Sequence, residues 1–236
     1  MRFLIKLFLF FFVFNVFAQD IKKDSIVIKV DSLYREDQFY FNFAYGNLQK
    51  VPKDLNQNKF SSVISVGFLR DIPLNKKRTF AIALGLGYSG SGYNENLYTY
   101  KSTDGNGVES RNYEIISPDT YFKKNKLSLH YLEVPIEIRW RNSTFDSHKF
   151  WRIYTGFKVS YLISDKYKFV NDVQTIVIKN NPDLNKFQYG VYLASGWNTW
   201  NFYAYYGLNP LFKTARIGNE LIKMNTLNIG LQFYIL

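Results

Sequence analysis

Leu132-Glu133-Val134-Pro135-Ile136-Glu137-Ile138-Arg139-Trp140-Arg141 is the stretch on which the fold turns. Leu132, Val134, Ile136, Ile138 and Trp140 share one parity; Glu133, Pro135, Glu137, Arg139 and Arg141 share the other. Period two means an extended strand with one apolar and one polar face. The same scheme runs from Phe80 to Tyr88, where Phe80, Ile82, Leu84, Leu86 and Tyr88 oppose Ala81, Ala83, Gly85 and Gly87. It recurs from Trp151 to Tyr161, and near the C-terminus in Leu227, Ile229, Leu231, Phe233 and Ile235. Segments 38–46, 60–70, 186–197 and 200–209 read alike. About eight strands of roughly ten residues result, the length a tilted strand needs to cross a bilayer.

Connection lengths sharpen this reading. Short links near 71–78, 142–149 and 198–199 alternate with long ones near 47–59, 89–126, 164–185 and 210–223. Outer-membrane barrels alternate tight periplasmic turns with longer outer loops in this way, and an even strand number leaves both chain ends in the periplasm. All four tryptophans, Trp140, Trp151, Trp197 and Trp200, flank short links and carry the apolar parity. Amphipathic indoles prefer the headgroup level, so they are expected to form one girdle. The other face carries Glu133, Glu137, Arg139, Arg152 and Lys158. An eight-stranded barrel has room inside only for side chains, so these charges are expected to pair within the lumen. The fold expected is all-β: one eight-stranded, antiparallel, up-and-down transmembrane β-barrel over residues 37–236.

Composition narrows the chemistry. The 236 residues include no Cys, two His and 19% aromatic residues, with a net charge of +11. A disulfide framework, a thiolate metal site and a Cys nucleophile are thereby excluded. Arg2 and Lys6, the apolar run Leu7 to Phe17 and Val16-Phe17-Ala18 before Gln19 read as a secretory signal peptide over 1–18. Residues 19–36, with Lys and Asp around Ile26, Ile28 and Val30, read as a periplasmic leader. No later stretch is long and apolar enough for a transmembrane helix.

Tyr131-Leu132-Glu133-Val134-Pro135-Ile136-Glu137-Ile138-Arg139-Trp140 resembles the Y-L-E-[IV]-P strand of the PorT-like outer-membrane β-barrel proteins. Tyr154 to Leu162 is similar to their next strand, and Phe187 to Leu208 and Ile229 to Phe233 fit the same pattern. The likeness spans Asp37 to Leu236, and the proline-bearing strand is its most specific part. It implies an outer-membrane location and an eight-stranded barrel. The founding member of that family is associated with type IX secretion and gliding, a role of a subset that no motif here transfers residue by residue. Pro135 deletes a ladder hydrogen bond, so a bulge is expected beside it.

Other features have plain structural readings. Asp104-Gly105-Asn106-Gly107 lacks the spaced acids of a calcium loop and reads as a polar turn. Gly85-Leu86-Gly87 reads as small lumen-facing packing, since a dinucleotide fingerprint needs a third Gly and a following helix. His130, near Ser128 and Glu133, has a parity opposite to Glu133 and so lacks an orienting acid; His148 falls in a short turn. No catalytic, cofactor or metal residue is assigned. Scattered Lys and Arg do not form a nucleic-acid stripe. Outer-membrane lipid is the expected partner, with anionic lipid or lipopolysaccharide phosphates at the loop residues Lys123, Lys124 and Lys126 and simple solvation of that charge run the alternative; envelope or secretion proteins are the expected partners of the outer loops, chiefly 89–126. The functional expectation is a non-enzymatic structural or accessory protein of the envelope or of a type IX-like secretion assembly. A small porin-like channel or an outer-rim enzyme using His130 are the alternatives.

Overall fold

A computed structural model describes residues 37–235, apart from positions 58, 108 and 143–149. All of these lie in the unit Leu33–Leu236; the signal peptide, the leader and His148 lie outside the described residues. The described residues form thirteen strands: β1 (Gln38–Gln49), β2 (Ser62–Pro73), β3 (Phe80–Asn94), β4 (Leu97–Thr103), β5 (Glu109–Ile115), β6 (Lys124–Arg141) and β7 (Trp151–Val170). β8 (Thr175–Lys179), β9 (Phe187–Trp197), β10 (Trp200–Gly207), β11 (Arg216–Ile217), β12 (Glu220–Leu221) and β13 (Asn225–Ile235) complete them.

Eight of these close a barrel in the order β6-β3-β2-β1-β13-β10-β9-β7, with β7 returning to β6, and every pairing is antiparallel. Each strand therefore pairs with its neighbours along the meander, and closure leaves no barrel edge unpaired. The start of β1, the end of β13, the β2–β3 and β9–β10 turns, the end of β6 and the start of β7 lie at one end. The hairpins β4–β5 and β11–β12 and the strand β8, which pairs with the last residues of β7, belong to the other.

Alternation sets the two faces. In β6 the residues Glu133, Pro135, Glu137, Arg139 and Arg141 are buried, while Leu132, Val134, Ile136, Ile138 and Trp140 are exposed. The inverted distribution holds round the barrel, with Phe39, Ile64, Leu84, Val191, Phe202 and Leu231 on the outside. Inside, tyrosines fill hollows left by glycines. A Cβ on Gly67 would stand 2.5 Å from the Tyr40 ring, one on Gly156 2.5 Å from Tyr192, and one on Gly190 2.6 Å from Tyr205. Large and small side chains on facing strands thus interlock at close-packed density.

Three expectations need correction. Segments 89–126 and 164–185 are not simple loops: β3 runs to Asn94, β6 starts at Lys124 and β7 reaches Val170. Their extensions, with the added hairpins, bury Leu97, Tyr113, Leu129, Phe169, Phe212 and Met224 in a core distinct from the barrel's own tyrosine cluster. These outer segments form a folded cap. Second, β2 continues through Asp71 to Pro73, beyond the expected end at residue 70. Third, the strand has no bulge at Pro135. Pro135 pairs with Lys158 in β7, and the β3–β6 register is the same on either side of the unpaired Gly85 and Leu86. The missing N–H simply interrupts the ladder opposite Gly85. The β6–β7 register shift falls instead between His130 and Tyr131, opposite the extra residue Ile163.

Candidate functional site

The lumen near the terminal end holds a connected set of charges. Arg139 and Arg141 are wholly buried on β6, and their inward parity follows from the apolar belt on the opposite face. Arg139 donates from Nε to Glu137 Oε2 at 2.7 Å and from Nη1 to Asp71 Oδ1 at 3.0 Å. Arg141 meets both oxygens of Asp71 and donates from Nε to the Arg78 carbonyl at 3.0 Å. Tyr192 and Tyr234 donate their hydroxyls to Glu137 Oε1 at 2.9 and 3.2 Å. Such satisfaction is what permits ions in a dry interior, where an unpaired charge costs several kcal/mol.

A second pair lies further along the bore. Lys158 Nζ stands 2.9 Å from Glu133 Oε2 and 3.3 Å from the Tyr203 hydroxyl, with the rings of Tyr192, Tyr203 and Tyr205 within 6 Å. Arg152 is buried without a carboxylate at ion-pair distance among the described residues. Its guanidinium rests on the rings of Phe150, Tyr154 and Tyr234, at 4.5, 5.6 and 5.3 Å. Cation–π attraction replaces the ion pair there.

Of the five charges expected in the lumen, four are joined to partners by hydrogen bonds or ion pairs, and Arg152 is held by rings. The hub, Asp71, was missed because its parity falls one step past the apparent end of the apolar alternation. The signal was present: Ser65, Leu69 and Asp71 share a parity, and all three are buried.

Trp140 is the last residue but one of β6, Trp151 begins β7, Trp197 ends β9 and Trp200 begins β10. Trp197 is the direct partner of both Trp151 and Trp200. Trp151 and Trp197 meet edge to face at 5.6 Å, and Trp200 meets Phe233 at 4.9 Å. A second set of outward aromatics, unnoticed in the sequence, lies toward the other end. Phe60 packs against Phe43 and Tyr45, Tyr161 against Phe187, and Tyr88 against His130. Ten residues of β6 separate Trp140 from His130; at ~3.3 Å per residue and a tilt near 40° that is a height of ~25 Å, the thickness of a barrel's apolar band.

The remaining motifs resolve simply. Asp104 to Gly107 is the β4–β5 turn, where Asp104 accepts from the Asn106 and Gly107 amides. His130 Nδ1 lies 2.5 Å from the Tyr88 hydroxyl on the outer surface, while Glu133 points into the bore. His130 is thus paired with a phenol, and Glu133, the acid near it in sequence, faces away from it. Among those residues no cluster of ligating side chains could hold a metal. In the cap, burial pushes the Glu95 carboxyl up to about 8, and its Oε2 has no hydrogen-bond partner.

Residues 17–213 match the family model described as an outer membrane protein beta-barrel domain, and the chain belongs to that family. No curated protein matches it. With a closed eight-stranded barrel and an outward apolar belt, this places the protein in the outer membrane. By the general pattern of such barrels, the short-turn end is expected to face the periplasm and the cap to face outward.

Proposed function

We propose that the protein is a closed, non-enzymatic outer-membrane anchor that serves as a structural or accessory component of the envelope, or of a type IX-like secretion assembly. The carrying observation is that the lumen is filled. Tyrosines and ion pairs occupy it, and the space that Glu133 and Lys158 line is about 40 Å³, room for a few waters. The folded cap lies over the outer end with its own core. A channel reading finds little support in this packing. The PorT-like reading is supported by the proline-bearing strand Tyr131 to Trp140, and the hairpins β4–β5 and β11–β12 offer the surfaces through which an assembly would be contacted.

Cross-linking in intact cells, followed by identification of the captured proteins, tests the role. Recovery of envelope or secretion components through sites on β4–β5 is the expected result; recovery of none, with cross-linkers placed on every outer connection, would count against it. In planar bilayers the purified protein is expected to show no reproducible conductance, and stable large steps would reinstate the channel. His130→Ala is expected to leave the cellular phenotype intact; a phenotype matching the deletion would reinstate the rim enzyme.

A further inference from the structure

The outward face of β6, β7 and β8 changes character above the upper aromatic ring. Below it stand Leu132, Val134 and Phe157; above it stand Ser128, Lys126, Lys166, Lys168 and Lys179. Their shared orientation follows from their neighbours, since Asn125, Leu127, Leu129, Tyr167, Phe169 and Ile178 are the buried members of the same strands. Register then brings like charges face to face. Lys126 is the direct cross-strand partner of Lys168, and Lys166 is the partner of both Ser128 and Lys179. Like charges directly opposite destabilise a sheet, and here two such pairs are adjacent.

Among the described residues no carboxylate lies within ion-pair distance of these four lysines. Asp165 on β7 is buried and accepts from the Asn181 amide, and Asp172 in the β7–β8 turn is taken by Lys123 at 2.6 Å. Lys123, expected as an anion contact, is thus already paired, whereas Lys126 is not. Lys126 also lies flat against the barrel: a Cβ on Gly92 would stand 2.6 Å from its Nζ. The ammonium is kept close to the wall.

Height selects the counter-ion. His130 and Tyr88 mark the top of the apolar belt, and Ser128 and Lys126 come two and four residues above it. At about 2.5 Å of height per residue the lysines occupy the first ~5–10 Å outside the hydrocarbon, where lipid headgroups lie. We propose that this lysine ladder on β6–β7–β8 is a binding site for the phosphate groups of an outer-leaflet phosphoglycolipid, whose acyl chains lie along the belt beneath. The proposal deepens the expectation of lipopolysaccharide contact and rests on the outer-membrane placement, not on the anchoring role. Lysines act as point charges toward phosphate, and charges near a membrane surface attract anionic headgroups additively.

Native mass spectrometry of the full-length folded protein in a zwitterionic detergent, titrated with diphosphorylated lipid A, tests this. Bound lipid is expected on the wild type and at least about tenfold weaker binding on the variant Lys126→Gln/Lys166→Gln/Lys168→Gln/Lys179→Gln. Dephosphorylated lipid should bind the wild type as weakly. A control carrying Gln at Lys50, Lys53, Lys213 and Lys223, exposed on connections flanking the opposite strands β1 and β13, should bind like the wild type. Heat-modifiable gel mobility confirms that each variant is folded. Equal binding by the ladder variant, or equal loss in the control, would overturn the site. Displacement of the lipid by equimolar inorganic phosphate would show a free-anion site and overturn the lipid assignment.

Discussion

Arg141 and Asp71 grip each other at two points, Nη1 to Oδ1 and Nη2 to Oδ2, each at 2.8 Å, although their strands are not neighbours. β3 runs between β2 and β6, and the clamp spans it where its inward residues are Ala81 and Ala83. Anything larger would stand in the way. The small face of β3 and the charged face of β6 are therefore one device.

Asp71→Ala leaves two buried guanidiniums short of a carboxylate. A loss of about 3–5 kcal/mol is expected, the cost of breaking a buried pair from one side. Urea unfolding of the folded protein in detergent micelles measures it. A loss below about 1 kcal/mol would mean that water reaches the clamp.

Leu84 is exposed in the belt, and Ala83 beside it is wholly buried between Asp71 and Glu137 in register. Leu84→Arg is expected to cost about 2–4 kcal/mol near mid-bilayer. Ala83→Ser, whose hydroxyl finds carboxylate acceptors nearby, is expected to cost under about 1 kcal/mol. Refolding titrations into lipid vesicles rank the two, and the opposite order would contradict the face assignment.

Gly67 gives its space to Tyr40. Gly67→Ala is expected to cost about 1–3 kcal/mol by overpacking, and Tyr40→Leu in the same chain should recover a good part of it, because the three atoms nearest a Cβ at that position all belong to the Tyr40 side chain. A double-mutant cycle gives the coupling; additivity would show that the strain lies in the backbone.

Glu95 gives the cap a pH dependence. Burial raises its carboxyl from 4.5 to about 8 in the folded state. Between those values the folded cap binds a proton that the opened cap releases, so the cap loses stability as pH rises from about 4.5 to 8, by about 1.4 kcal/mol per unit. Glu95→Gln is expected to flatten that slope and to stabilise the cap at neutral pH. Proteolysis of the β3–β4 connection as a function of pH reads both effects.

The barrel was legible because period two is imposed by two solvents at once: Ile136 must meet lipid and Glu137 must not. The parity rule even reached the lumen charges Arg139, Arg152 and Lys158 before their partners were known. It failed where that double constraint ends. Above Leu132 the strand β6 continues for eight residues, yet Lys126, Ser128 and His130 alternate with Asn125, Leu127 and Leu129 without an apolar outer face, so the extension read as loop. Asp71 was lost for the same reason at the other end, where Arg70 interrupts the apolar run. The aromatic ring of Phe60, Tyr88 and Tyr161 was hidden among other apolar residues, whereas four rare tryptophans stood out.

The cap draws its interior from all four long connections: Leu55 from the first, Leu97 and Tyr113 from the second, Leu184 from the third, Phe212 and Ile222 from the fourth. None of these segments can bury its apolar side chains alone, and all must be delivered across the bilayer before they can meet. With the cap on the outer side, insertion is expected to carry them through as unfolded chain, and the cap is expected to consolidate once the cylinder beneath has brought its four contributors into reach. A strand-closure defect in the membrane would accordingly be visible first outside the cell, as an unassembled and protease-sensitive crown.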